Sequence, residues 1–250
     1  MQLELWHYLL LVVVGVVAGF LNVMAGGGSL LTMPLMIFMG MTPALAHGSN
    51  RNALIAQNLT AIGEFKRRGF ADFKLSLSLA LCTLPGAVLG AWAAIRMDPL
   101  WFKRLLAVVM IGVLVVTLWP KRKGQVASSD ERAHNVLAHL GMLGVGFYGG
   151  FIQAGVGFVL LSVLGGTLRY DLVRANALKL ICTFVFGVVS LAVFVVAEQV
   201  VWLPAVILAV ATATGAQIAV RFALRTRHEV LRWIVFCAIV AACVGAFFKA

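Results

Sequence analysis

Two short glycine-rich runs, Ala25-Gly26-Gly27-Gly28-Ser29 and Ala154-Gly155-Val156-Gly157, interrupt stretches that are otherwise apolar. A helix crossing lipid must satisfy every backbone polar group within itself, so a break at that depth is tolerated only inside protein or beside a wet cavity. Each run is followed by an apolar segment and then by a helix start containing Asn-Ala-Leu, at Asn52-Ala53-Leu54 and Asn176-Ala177-Leu178.

That the breaks lie in a membrane follows from composition. The chain is 62% hydrophobic and only 12% charged, against roughly 45–50% and 25% in soluble domains. The excess is too large for a bigger core, and stretches of about 20 apolar residues recur, as a spanning helix requires. The formal charge of +11 sits between these stretches, at Lys66-Arg67-Arg68, Lys121-Arg122-Lys123, Arg225 and Arg227. Such cations are topology signals and headgroup anchors; no basic face is available for nucleic acid. The N-terminus has no basic n-region or small-x-small cleavage site and reads as a first membrane helix. Cys82, Cys182, Cys237 and Cys243 form no C-x-x-C pair and read as packing residues. No metal pattern is present, and no cofactor is expected.

Apolar segments are predicted over 5–23, 28–41, 44–63, 73–95, 101–119, 136–152, 155–168, 172–196, 200–222 and 229–248. The polar stretch 120–135 divides the chain into a first transmembrane repeat, 1–119, a cytoplasmic linker and a second repeat, 136–250. Ala25 aligns with Ala154, Asn52 with Asn176, Gly90-Ala91 with Gly215-Ala216 and Arg104 with Arg232, in order and at nearly constant separation. The predicted fold is an all-α, multi-pass membrane protein of two repeats, each with about four helical segments and opening on a glycine-broken pair. The loops at 64–72, 120–135, 169–174 and 221–232 are basic, whereas 197–199 carries only Glu198. If each broken pair enters and returns on one side, the basic loops share the cytoplasmic face and the repeats are inverted. If the pairs cross fully, each half has four spans and the repeats are parallel. The link 96–104, with three cations, fits the first scheme badly.

Where a helix restarts after a break, its first N–H groups and positive dipole end favour an anion. Gly26, Gly27, Gly28, Gly155 and Gly157 supply such backbone, Ser29 adds a hydroxyl, and Asn22 and Gln153 stand just before the breaks. Gly86 and Gly90 instead have the spacing of helix packing. At about 100° per residue, His47, Asn50, Arg51, Gln57 and Asn58 form a polar stripe on helix 44–63, with Asn52 pointing away. Arg51 within a span calls for water, a partner or a ligand, and His47 is a candidate proton carrier. On helix 172–196, Asn176, Lys179, Thr183 and Ser190 share a face, with Arg174 on the other side. Gln217 and Thr212 are candidates for lining a path. Arg51 and Lys179 have no acidic partner in their own segments and read as uncompensated cations awaiting an anion.

Ala25-Gly26-Gly27-Gly28-Ser29, Pro34, Gly40-x-x-Pro43-x-x-Ala46-x-Gly48-Ser49-Asn50 and Gly86-x-x-x-Gly90-Ala91 together resemble the sulfite exporter TauE/SafE family of membrane permeases. The resemblance covers nearly the whole chain and is more degenerate in the second half. Ser49 departs from it, threonine being commoner there, as does the Gly-Ser end of the first run. It implies a multi-pass inner-membrane transporter of small sulfur-containing anions such as sulfite or organosulfonates. The residues alone leave open small carboxylates, other anions or a passive anion channel. Alternating access, with protons as the coupling ion, is the expected mode; the sequence sets no oligomeric state. G-x-S-x-G, H-E-x-x-H and paired intramembrane aspartates are missing, so no enzyme is expected.

Overall fold

The computed structural model describes residues 4–67, 73–118, 136–166 and 172–223. Over these it is helical throughout: α1 (Leu5–Ala25), α2 (Ser29–Phe38), α3 (Pro43–Arg67), α4 (Phe73–Arg96), α5 (Pro99–Leu118), α6 (Val136–Phe151), α7 (Val156–Gly166), α8 (Leu172–Val196) and α9 (Trp202–Ala223). The linker 120–135, the last apolar segment 229–248, Cys237, Cys243 and Arg232 lie outside the described residues, as does the side chain of Arg174.

Among the described residues, four helices contain stretches long and apolar enough to cross a membrane: Leu5–Met24, Leu77–Arg96, Ala175–Val196 and Trp202–Phe222. Large apolar side chains line their outer faces, among them Val13, Leu89, Val196 and Val210. In water that surface would drive association; in lipid it is the favourable exterior. The polar side chains point the other way. Arg51, His47, Asn58 and Ser190 have no exposed surface. This is an integral membrane protein with its polar groups inside.

The most extensive helix seams join an early helix to a late one: α4 with α6, α1 with α9, α3 with α9, α4 with α8, and α3 with α8. Small residues at four-residue spacing let the backbones approach. A Cβ on Gly86 or Gly90 would overlap backbone of Leu143 or Phe147, and one on Gly146 or Gly150 would overlap the carbonyls of Thr83 or Ala87. Gly19 meets Thr212 in the same way, and Gly215 meets Val16. The packing reading of Gly86 and Gly90 therefore holds.

These contacts also fix direction. α1 runs parallel to α9 and α6 runs parallel to α4. The start of α3 meets the end of α8, where Gly48 abuts the Gln199 carbonyl and the Val201 amide donates to Ser49 Oγ at 2.8 Å. Consequently α1, α3 and α9 begin at one end of the bundle, and α4 and α8 finish there. α6 and α8 begin at the other. Trp6, Trp92, Trp101 and Trp202 are all exposed near the first end, with Arg96 stacked 4.0 Å over Trp92 and Arg104 5.2 Å over Trp101. Amphipathic rings at this level mark a membrane–water interface.

Candidate functional site

Both interrupted helices end alike. Gly26 takes a left-handed conformation (φ 88°) and its N–H bonds Leu21 O at 3.3 Å. Gln153 takes one too (φ 64°), and its N–H bonds Tyr148 O at 3.2 Å. A left-handed residue closing onto an earlier carbonyl is a common helix stop. For glutamine it costs about 1–2 kcal/mol, the kind of backbone strain found where a side chain must be aimed.

The breaks touch. Gly26 and Gly157 pack backbone to backbone, with no room for a Cβ on either. Gln153 Nε2 donates to Ser29 Oγ at 3.3 Å. Asn22 is buried, its Cβ 2.7 Å from where a side chain on Gly28 would stand. Thr32, in the first turn of α2, donates to Asn50 Oδ1 at 2.7 Å. Among the described residues, the N–H groups of Gly27, Gly28, Ser29, Gly155 and Gly157 enter none of the turn and cap hydrogen bonds. They are the orphan donors of helix starts, here buried.

Arg51 has no exposed surface. Its Nη2 donates to Gly149 O at 3.0 Å, Gly150 O at 2.5 Å and His47 Nε2 at 3.0 Å. A guanidinium only donates, so His47 Nε2 accepts and the ring is neutral with its proton on Nδ1. Phe194 lies 5.2 Å below the guanidinium carbon and 4.8 Å from the His47 ring. Arg51 Nε and Nη1, His47 Nδ1, Asn50 Nδ2 and Gln153 Oε1 are buried and have no partner. Leaving such groups unmade costs about 1–3 kcal/mol each, more when charged.

Lys179 is 2% exposed. Its Nζ donates to Asn22 O at 3.0 Å and Val23 O at 3.1 Å. Neither cation is therefore bare, which corrects the reading of both as lacking any compensation: each sits on the carbonyl end of an interrupted helix. A cation at such an end stabilises by about 0.3–2 kcal/mol. Carbonyl dipoles satisfy N–H groups without cancelling charge. Among the described residues no carboxylate is buried, so the interior carries net positive charge.

Other expected site residues lie farther along the core helices. Gln57 and Asn176 are buried, and Asn176 Oδ1 has no partner. Asn58 Nδ2 donates to Thr183 Oγ1 at 2.8 Å, which joins α3 to α8. Thr212 is buried and bonds Ala53 O at 3.1 Å, whereas Gln217 is exposed on the outer face of α9. Asn52, away from the stripe, is half-buried, and its Nδ2 is enclosed without a partner. Sequence reasoning missed Thr32, Phe194 and the carbonyls of Gly149 and Gly150. Gly146 and Gly150, four apart, carried the packing signal for α6 but none for the carbonyls' role. Among the described residues no cluster of His, Cys, Asp or Glu could hold a metal.

Comparison with known proteins agrees with this architecture. The chain is 24% identical to a probable membrane transporter protein of Haemophilus influenzae, over 88% of this chain and 86% of that one. It is 25% identical to the probable membrane transporter protein ORF9 of a Sinorhizobium species, over 89% and 85% of the two chains. It is also 25% identical to the probable membrane transporter protein YfcA of Escherichia coli, over 88% and 81%. No solved structure matches. The model of the family described as sulfite exporter TauE/SafE matches residues 11–246, and with a membrane-embedded, inwardly polar helical bundle already in view, the chain belongs to that family of membrane transporters.

Proposed function

We propose that the protein exports small sulfur-containing oxyanions, sulfite or organosulfonates, across the inner membrane, and that the anion binds where the two helix interruptions meet. The observation that carries this is the set of buried donors without partners. Arg51 Nε and Nη1, Asn50 Nδ2 and the amides of Gly27, Gly28, Ser29, Gly155 and Gly157 are gathered around two interruptions in contact. Three oxygens on one compact anion would satisfy several of them at once. Asn22, Gln57, Gln153, Asn176 and Lys179 complete the proposed lining.

In this reading residues 1–119 and 136–250 are inverted repeats joined by a cytoplasmic linker. The opposed directions of α1 and α6, of α3 and α8, and of α4 and α9 support it. The first interrupted pair then enters and returns at the face where α1 begins, the second at the face where α6 begins, and the basic loops share the latter face. Rocking of one repeat against the other gives alternating access. His47, neutral and hydrogen-bonded to Arg51, is the proposed proton carrier: a proton on Nε2 would break that contact. In proteoliposomes, His47→Gln is expected to leave anion flux insensitive to an imposed pH gradient that drives the native protein.

The binding test is thermal unfolding of purified protein with sulfite, alkanesulfonates, sulfate and short carboxylates. A ligand at about a hundred times its Kd stabilises by about 2.7 kcal/mol, a shift of about 5–10 °C for a chain of this size. Sulfite or a sulfonate should give it and chloride should not. Stabilisation by carboxylates alone would reassign the substrate class, and no shift from any anion would defeat the site.

A further inference from the structure

The two helix stops leave matching carbonyls free, and the two buried cations take them crosswise. The Gly26 N–H bypasses Asn22 O and closes onto Leu21 O; Lys179, from α8, donates to Asn22 O and Val23 O. The Gln153 N–H bypasses Gly149 O and closes onto Tyr148 O; Arg51, from α3, donates to Gly149 O and Gly150 O. In both places the skipped carbonyl lies in the last helical turn, where it has no partner within the helix. In both places its donor comes from the opposite side of residues 119–135.

We propose that Lys179 and Arg51 are reciprocal positioning residues, each holding the carbonyl end of the other half's interrupted helix, so that the amides beyond both breaks stay aimed at the point where the runs touch. Lys179 acts through α1, whereas Arg51 spends one nitrogen on the cap and keeps Nε and Nη1 free. Crosswise attachment also ties the halves together. α8 cannot shift along its axis without drawing the end of α1, nor α3 without drawing the end of α6. The caps belong to the empty protein, so the proposal does not depend on which solute is carried.

Hydrogen–deuterium exchange on the purified full chain, without added anion, tests it. Lys179→Met should speed amide exchange at least fivefold over residues 21–30 while leaving 148–158 at the native rate. Arg51→Met should do the reverse. Lys179→Arg, still able to reach two carbonyls, should restore protection at 21–30. A general loss of stability would raise both segments in both variants. That pattern, or no change in either segment, would overturn the proposal. If a methionine variant does not accumulate, Lys179→Gln and Arg51→Gln carry the same crossed expectation.

Discussion

Arg51→Met is expected to abolish anion-induced stabilisation and lower transport by about a hundredfold or more. Nε and Nη1 would give the anion two charge-assisted hydrogen bonds, each contributing about 1.5–3 kcal/mol. The substitution also strands Gly149 O and Gly150 O, so the protein should melt lower even without ligand. Arg51→Lys separates the two effects. One ammonium can keep the carbonyl contacts but not offer a planar guanidinium to an oxyanion. Its melting point should stay near native while its response to sulfite falls. Native transport in Arg51→Met would remove Arg51 from the site.

Gly26→Ala is expected to be the most damaging single-methyl change in the described structure. The residue needs a left-handed conformation, and the added Cβ would collide with Gly157 backbone, which cannot rotate away. Left-handed strain of about 1–2 kcal/mol and overpacking of about 1–3 kcal/mol together lower the melting point by about 5–20 °C. Gly63→Ala is the control. Nothing lies within 4 Å of a Cβ there, and alanine favours a helix by about 1 kcal/mol. Fluorescence-detected size exclusion after graded heating measures both. Equal behaviour of the two variants would mean that the runs do not touch.

Much of this arrangement was legible in the residues. Glycine runs inside apolar stretches located both interruptions, because little else stops an apolar helix so abruptly. The polar stripe of α3 picked out Asn50, Arg51, Gln57 and Asn58 by helical period alone, and all four are buried. What periodicity could not supply was partnership across the chain. Lys179 and Asn22 O meet only because α8 and α1 are neighbours in space, and a carbonyl acceptor leaves no trace in residue identity. The same blindness made Arg51 look bare. Asn52, off that stripe, is half-buried with its Nδ2 enclosed and unpaired, and the helical period alone gives no account of it.

The seams that join α1 to α9 and α4 to α6 mean that neither half keeps its best-fitting surface to itself. While the ribosome is still delivering residues before 119, the inserted helices present grooves whose complements have not been synthesised. Assembly must therefore wait for the later helices to arrive. Severed within 120–135 and produced as two polypeptides, the protein should recombine in the bilayer as a cooperative pair, with neither fragment persisting alone.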